Sequence, residues 1–228
     1  MDIGGMRTEY NDRKNVFLEA DIEVKEPFHL FSKWFQIIKD DPKTVEPNAV
    51  CLSTSTKDGT PSARFVLIKG FSKKGFVFYT HYTSRKGQEL EENPKAAMTF
   101  YWDRYSRSVR IEGDIEKLPF KDADEYFFSR PYNSQIGSLS SNQSRPVESR
   151  DVLLNIEEDL RQKYGPGEVP RPPLWGGYLL KPRLFEFWQG QTNRIHDRIR
   201  FRMPEDGEPD GVLTKQGEEG WIFERLCP

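Results

Sequence analysis

The sequence predicts a mainly β protein with α-helices at its periphery (α+β), on three observations. Short β-rich runs separated by turn signals begin at residue 48, similar runs resume at residue 175, and a helical stretch at about 120–165 lies between them. Strands on both sides of a helical insert imply one barrel completed late in the chain, not two domains. The 228 residues are 36% hydrophobic and 13% aromatic, enough apolar material for a core of that size.

In chain order, residues 1–26 read as a flexible polar arm, and a helix follows over Pro27–Asp40, where Phe28, Phe31, Phe35 and Ile38 recur at three- and four-residue spacing. Strands are expected at Asn48–Ser55, Ser62–Lys69 and Gly75–Thr80, joined by turns at Lys57–Gly59 and Gly70–Gly75. Ser84 is placed to cap a short helix that Asn93-Pro94 stops, and strands follow at Lys95–Trp102 and Arg107–Leu118 around the loop Asp103–Ser106. The insert holds a helix over Phe120–Ser129, broken before Arg130-Pro131. A longer helix spans Ser149–Tyr164, with Val152, Leu153, Ile156 and Leu160 on one side. Four prolines make residues 165–173 a stiff connector, after which strands are expected at Trp175–Leu180, Leu184–Gln189, Asp197–Met203 and Trp221–Leu226.

Charge excludes several functions. With 34 Lys and Arg against 36 Asp and Glu, the net charge is −2, so no global basic field draws the protein to nucleic acid or an anionic membrane. No apolar run reaches transmembrane length and the start carries no apolar leader, so a soluble cytoplasmic protein is expected. Cys51 and Cys227 form neither a disulfide framework nor a metal knuckle. His29, His81 and His196 form no ligand cluster, so no metal is expected. The stretch Gly70–Gly75 has the glycine spacing of a phosphate loop but continues Phe76-Val77 where Lys-Ser/Thr is required. Rossmann and nucleophile-elbow motifs are missing.

What remains is a set of local cationic clusters. If residues 193–202 are extended, alternation puts Arg194, His196, Arg198, Arg200 and Arg202 on one side, just after Trp188-Gln189-Gly190-Gln191. Arg200 and Arg202 read as solvated charge on an outer face. Arg194 and His196, beside a large aromatic and a glycine, suit a flat ligand. Arg64 and Lys69, with Arg85-Lys86-Gly87 at a helix start, suit a phosphate. Tyr126 and Arg130 share a helix face, with Ser134 just beyond the Pro131 break. Two phosphate-suited clusters and an aromatic Arg/His segment suggest a site for two phosphorylated flat molecules.

At this point the chain resembles a known family, the pyridoxine (pyridoxamine) 5′-phosphate oxidases, from Met6-Arg7 to its end. The carriers are Pro61-Ser62-Ala63-Arg64, Ser84-Arg85-Lys86-Gly87, Ser129-Arg130-Pro131 with Ser134-Gln135-Ile136-Gly137, and Trp175-Gly176-Gly177-Tyr178. Glu186-Phe187-Trp188-Gln189-Gly190, Asn193 to Arg198 and the closing Arg225-Leu226-Cys227-Pro228 complete them. The resemblance implies an FMN-binding split β-barrel over residues 27–228 and a homodimer with sites along the subunit interface. It also implies oxidation of pyridoxine 5′-phosphate and pyridoxamine 5′-phosphate to pyridoxal 5′-phosphate, with O2 reduced to hydrogen peroxide.

Carried over by motif, the FMN contacts are Arg64, Phe65, Val66, Leu67, Tyr79, Thr80, Arg85, Lys86, Gln143, Ser144, Trp188 and Arg198. Ser108 stands at a further cofactor position where relatives commonly have Gln. Lys69, Tyr126, Arg130 and Ser134 are implied for the substrate phosphate, Arg194 and His196 for the pyridine ring and its chemistry, and Arg7 and Tyr10 for an arm over the occupied site. Strict alternation sets Arg64 and Lys69 on opposite faces, unless the strand ends or twists between them. The competing readings are another FMN split-barrel oxidoreductase, a non-catalytic B6-phosphate carrier and an RNA-binding barrel. Net charge speaks against the last.

Overall fold

The computed structural model describes residues 1, 3–6, 10 and 16–228. After a short 3-10 turn at Glu19–Asp21 comes helix α1 (Pro27–Lys39), then strands β1 (Ala49–Ser55), β2 (Pro61–Leu67), β3 (Gly70–Ser72) and β4 (Gly75–His81). Helix α2 (Arg85–Glu92) precedes β5 (Lys95–Trp102) and β6 (Arg107–Lys117). Helices α3 (Phe120–Ser129), α4 (Tyr132–Ser140) and α5 (Arg150–Lys163) form the insert, and β7 (Trp175–Gln189), β8 (Asp197–Arg202), β9 (Thr214–Gln216) and β10 (Ile222–Arg225) complete the sheet. Among the described residues no helix is long and apolar enough to cross a membrane.

The organising strand is β7. From Tyr178 to Gln189 it pairs antiparallel with β6. On its other edge the first half, Phe76↔Leu180 to His81↔Trp175, pairs with β4, and the second half, Leu184↔Arg202 to Gln189↔Asp197, pairs with β8. The sheet therefore splits at the middle of β7, where the register with β6 shifts between Glu112 and Gly113. A Cβ at Gly113 would lie 2.0 Å from the Lys181 carbonyl oxygen, so the bulge requires glycine.

The barrel closes in one residue step. Ile68 donates its N–H to Asn48 beside β1, and Lys69 donates to Val77 of β4. Strand β2 has ended by then, and Phe65, Leu67 and Lys69 present to one side while Arg64 turns to the other.

Helix α1 plugs the barrel. Glu26 caps it by accepting from the Phe28 and His29 N–H groups, Pro27 occupies its first turn, and Phe28, Leu30, Phe31, Trp34 and Ile38 are buried. Fully buried Phe31 packs within 4.9–6.4 Å, ring centre to ring centre, of Phe35, Phe71, Phe76, Phe100 and Trp102.

Several expectations are corrected. Phe17 and Ile22, within the stretch expected to be a flexible arm, are buried, and Phe17 N–H is held by Asp197. The two strands expected at 175–180 and 184–189 are one continuous strand, since Pro182 falls at the bulge, where it breaks no ladder. The Gly70–Gly75 turn carries the short strand β3, and β9 and α4 were not anticipated. Arg194 and His196 precede β8, and Arg194 has φ +64°, so the alternation expected from residue 193 begins only at Asp197. Arg198, Arg200 and Arg202 do share a face there.

Phe31→Ala should lower the unfolding free energy by about 3–5 kcal/mol. Urea denaturation at fixed protein concentration measures this as a lower midpoint, and an unchanged midpoint would refute the plug role of α1.

Candidate active site

A cavity of about 630 Å³ lies where β2, β4, α2 and the helical insert converge. It is lined by Phe65, Val66, Leu67 and Lys69, by Tyr79, Thr80 and His81 at the end of β4, and by Lys86. From the insert come Tyr126, Arg130, Pro131, Ser134, Gly137, Ser138, Ser141 and Gln143, with Trp175 at the start of β7. Three cations, Lys69, Lys86 and Arg130, face it, and no carboxylate is among the described residues that line it.

Lys86 is set by its helix. Ser84, fully buried, caps α2 by accepting from Gly87 N–H at 3.2 Å, and a Cβ at Gly87 would lie 2.2 Å from the Tyr82 carbonyl oxygen, so only glycine lets this turn pack down. Lys86 is thereby buried with its Nζ 3.1 Å from Gln143 Oε1 and 3.3 Å from Thr80 Oγ1. Burial, aided by the nearby Arg64 charge, pushes its ammonium down to about 8. Arg130 is likewise lowered by burial. Its Nη1 donates to Ser138 Oγ at 2.7 Å and its guanidinium lies 5.0 Å over the Trp175 ring. Tyr79 stacks on Tyr126 at 4.1 Å and on Trp175 at 5.4 Å, forming an aromatic wall.

Arg64 and Arg85 do not line this cavity. Both bond to Glu89, which also receives the Ser62 and Thr54 hydroxyls. Burial alone raises that carboxyl, but the bonds from Ser62, Thr54, Arg85 and Arg64 outweigh it and hold it at about 2. Ser144, exposed with φ +71°, follows Gln143 without lining the cavity.

The remaining candidates gather elsewhere. Ser108, Trp188 and Arg198 stand in one cross-strand row through β6, β7 and β8. Trp188 lies 5.0 Å from His196 by ring centres, and Tyr10 sits edge-on to both, at 5.9 and 5.7 Å. Gly190 permits this, because a Cβ there would lie 2.9 Å from the Trp188 ring. Gln191 N–H donates to His196 Nδ1 at 3.0 Å, which leaves the neutral ring's proton on Nε2. Asp197 accepts from Phe17 N–H, Gln191 Nε2 and Arg225 Nη1, pinning the base of the arm, the loop and the C-terminal tail together. Arg198 donates to Glu186 at 2.7 Å, while Arg200 and Arg202 pair with Glu224, as expected of structural charge. Arg194 is exposed on its turn. Arg7 lies outside the described residues.

No residue of this second cluster lines the cavity. Trp175 and Trp188 mark opposite ends of β7, roughly 43 Å apart along the strand at about 3.3 Å per residue. A groove of similar volume, about 660 Å³, has acids among its cations: Arg183 and Lys95 both pair with Asp114. Sequence reasoning missed Ser138 and Trp175 as cavity walls, His81 as one of them, and Glu89 as the counter-ion of two arginines. Only the Arg85–Glu89 spacing of four signalled any of these.

A split barrel whose acid-free cationic cavity is walled by stacked aromatics fits a flat phosphorylated cofactor, and the class defined is that of FMN-binding split-barrel oxidoreductases. Residues 39–162 match the family model described as pyridoxamine 5′-phosphate oxidase, and residues 175–228 match the pyridoxine 5′-phosphate oxidase C-terminal dimerisation region. The chain is 54% identical to a pyridoxine/pyridoxamine 5′-phosphate oxidase of Bombyx mori, covering 100% of this chain and 90% of that one. It is 48% identical to a pyridoxine-5′-phosphate oxidase of Bos taurus, covering 100% and 88%.

Among solved structures, PhzG from Burkholderia lata 383 with tetrahydrophenazine-1-carboxylic acid aligns with TM-score 0.81 at 30% identity, over 96% of this chain and 100% of that one. A pyridoxamine 5′-phosphate oxidase-related, FMN-binding protein of Nostoc punctiforme shares the fold, with TM-score 0.65 at 14% identity, over 89% of this chain and 98% of that one. The chain belongs to the pyridoxine/pyridoxamine 5′-phosphate oxidase family, and FMN is its cofactor.

Because the Lys86 ammonium titrates at about 8 in the free protein, its charge is complete below that pH and lost above it. A bound phosphate stabilises the charged form, so loss of the Lys86 charge should add a fall in FMN affinity of up to roughly tenfold per pH unit above pH 8. Flavin fluorescence titration of the apoprotein measures this. Lys86→Arg, always charged, should remove the fall, and an equal decline in both proteins would refute the assignment.

Proposed function

We propose that the protein oxidises pyridoxine 5′-phosphate and pyridoxamine 5′-phosphate to pyridoxal 5′-phosphate, with O2 as final acceptor and hydrogen peroxide as by-product. In this reading each site joins the cavity of one copy to the Trp188–His196 cluster of a second copy. The observation that carries it is the cavity itself, where three cations meet no acid and aromatic rings form the wall. Family membership and the C-terminal dimerisation match support the chemistry and the dimer.

Lys86, Thr80 and Gln143 hold the cofactor phosphate, with Phe65, Val66 and Leu67 beside the ring system. FMN, when held there, would supply the two-electron redox chemistry. Lys69, Tyr126, Arg130 and Ser134 hold the substrate phosphate, and each charge-assisted bond contributes about 1.5–3 kcal/mol when shielded from water. Arg194 packs its guanidinium plane on the pyridine ring, and His196 donates from Nε2 to a ring oxygen. The Gln191 N–H on Nδ1 supports the donor role over that of a base. Two anchors, one per phosphate, fix the transfer distance, so alignment is the main contribution of the protein.

The phosphate set of Tyr126, Arg130 and Ser134 favours this reading over a split-barrel enzyme acting on an unphosphorylated flat substrate. The unpaired Cys51 and Cys227 agree with a cytoplasmic setting.

Purified protein given FMN and pyridoxine 5′-phosphate should consume oxygen and form pyridoxal 5′-phosphate and peroxide; absence of the aldehyde would overturn the reading. Arg130→Ala should raise KM roughly ten- to a hundredfold with FMN retained. Arg194→Ala should keep its flavin and lose kcat. Chains carrying Arg130→Ala and chains carrying Arg194→Ala, each strongly impaired alone at substrate well below the raised KM, should regain about a quarter of wild-type activity when mixed dimers form, because one site per heterodimer is intact. No recovery would show that each site is built from one chain.

A further inference from the structure

Among the polar groups of the cavity that neither phosphate assignment uses, one is a buried imidazole. His81, the last residue of β4, is 7% exposed, and its Nε2 is buried without a hydrogen-bond partner. The ring is hydrogen-bonded to the Ser138 backbone, in a sense that favours the charged form. Around it stand Lys86 of α2, Arg130 at the junction of α3 and α4, and Thr80 and Gln143. Trp175 of β7 lies opposite in register. Glu89, the buried acid of α2, is engaged by Ser62, Thr54, Arg64 and Arg85 and does not line the cavity. An imidazole among cations, with a bare nitrogen and no acid facing it, lacks an anion.

We propose that His81 is a further phosphate ligand of this cavity: when a phosphate monoester dianion binds, Nε2 takes a proton from solvent and donates it as a hydrogen bond to a phosphate oxygen. Burial first, and then the Lys86 and Arg130 charges, keep the ring neutral beforehand, which makes proton uptake part of binding rather than a pre-existing charge. The bound group is the phosphate of FMN or of the B6 vitamer, and the two have the same chemistry. The inference rests on reading the cavity as the phosphate pocket.

Calorimetry at pH 7 in two phosphate-free buffers of different ionisation enthalpy tests it. FMN is added to apoprotein, and pyridoxal 5′-phosphate to the FMN-loaded protein, for wild type and His81→Asn. Wild type should take up close to one proton more than the variant with one of the two ligands, which identifies the phosphate concerned, and riboflavin should show no such difference. The chain has three histidines, so nitrogen-15 NMR of the wild type reads the same event independently of the variant's folding. One imidazole should pass from neutral to charged on addition of the phosphate ligand. Tight binding of both ligands with every histidine unchanged would overturn the role of His81 alone. Failure of both ligands to bind wild type would overturn the phosphate-pocket reading beneath it.

Discussion

Strand β7 constrains everything else in the molecule. It pairs with β6 along one edge from Tyr178 to Gln189 and divides the other edge between β4 and β8, so the two halves of the sheet share one backbone but face different neighbours. The cavity assembles at its Trp175 end and the Trp188–His196 cluster at its Gln189 end. A continuous strand cannot fold back on itself, so one chain keeps the clusters apart. In the proposed reading, a second copy brings the two halves together. The C-terminal region that matches a dimerisation model, residues 175–228, begins with this strand.

Electrostatics divide the cationic residues into two groups with different work. Arg64 and Arg85 are neutralised by Glu89, and Arg200 and Arg202 by Glu224. These ion pairs brace α2 against the barrel and β10 against β8. Lys86 is instead buried, and Arg130 half-buried, against neutral oxygens and an aromatic ring. Their desolvation is a cost in the free protein, visible in the lowered Lys86 ammonium, and an incoming phosphate is the group that relieves it. Binding strength is thus stored in the fold as unpaired charge, which the net charge of −2 gives no hint of.

Much of this was legible in the sequence where local chemistry decides it. The periodicity of Phe28, Phe31 and Ile38 located α1, Ser84 marked the start of α2, and the β5–β6 hairpin was read to within a residue. Family resemblance named many residues of both clusters, but did not assign His81, Ser138 or Trp175 to the site. Pattern failed where tertiary contacts override it. Helix α4, Tyr-Asn-Ser-Gln-Ile-Gly-Ser-Leu-Ser, has weak propensity, and is held by buried Ile136 and by Gln135, whose Nε2 donates to the carbonyls of Phe127 and Arg130. Pro182 argued for a break in β7 because the bulge that accommodates it depends on Gly113, some seventy residues earlier. Which cations would be paired was mostly hidden: Arg85–Glu89 is a local pair four residues apart, but Arg64, Arg200 and Arg202 reach their carboxylates only through the folded sheet.

The same reasoning explains why His196 and His81 differ in kind. His196 is held by a backbone N–H on Nδ1 and stands beside Trp188 and Tyr10, so its tautomer is fixed before any ligand arrives and its free edge is a donor. His81 bonds through one nitrogen to a backbone that favours its charged form, while burial and two neighbouring cations oppose that charge. The balance at His81 is settled only by an anion. A fixed donor suits recognition of a ring, whose geometry is constant. A group that charges on demand suits a phosphate, because the proton it gains offsets part of the negative charge brought into the cavity.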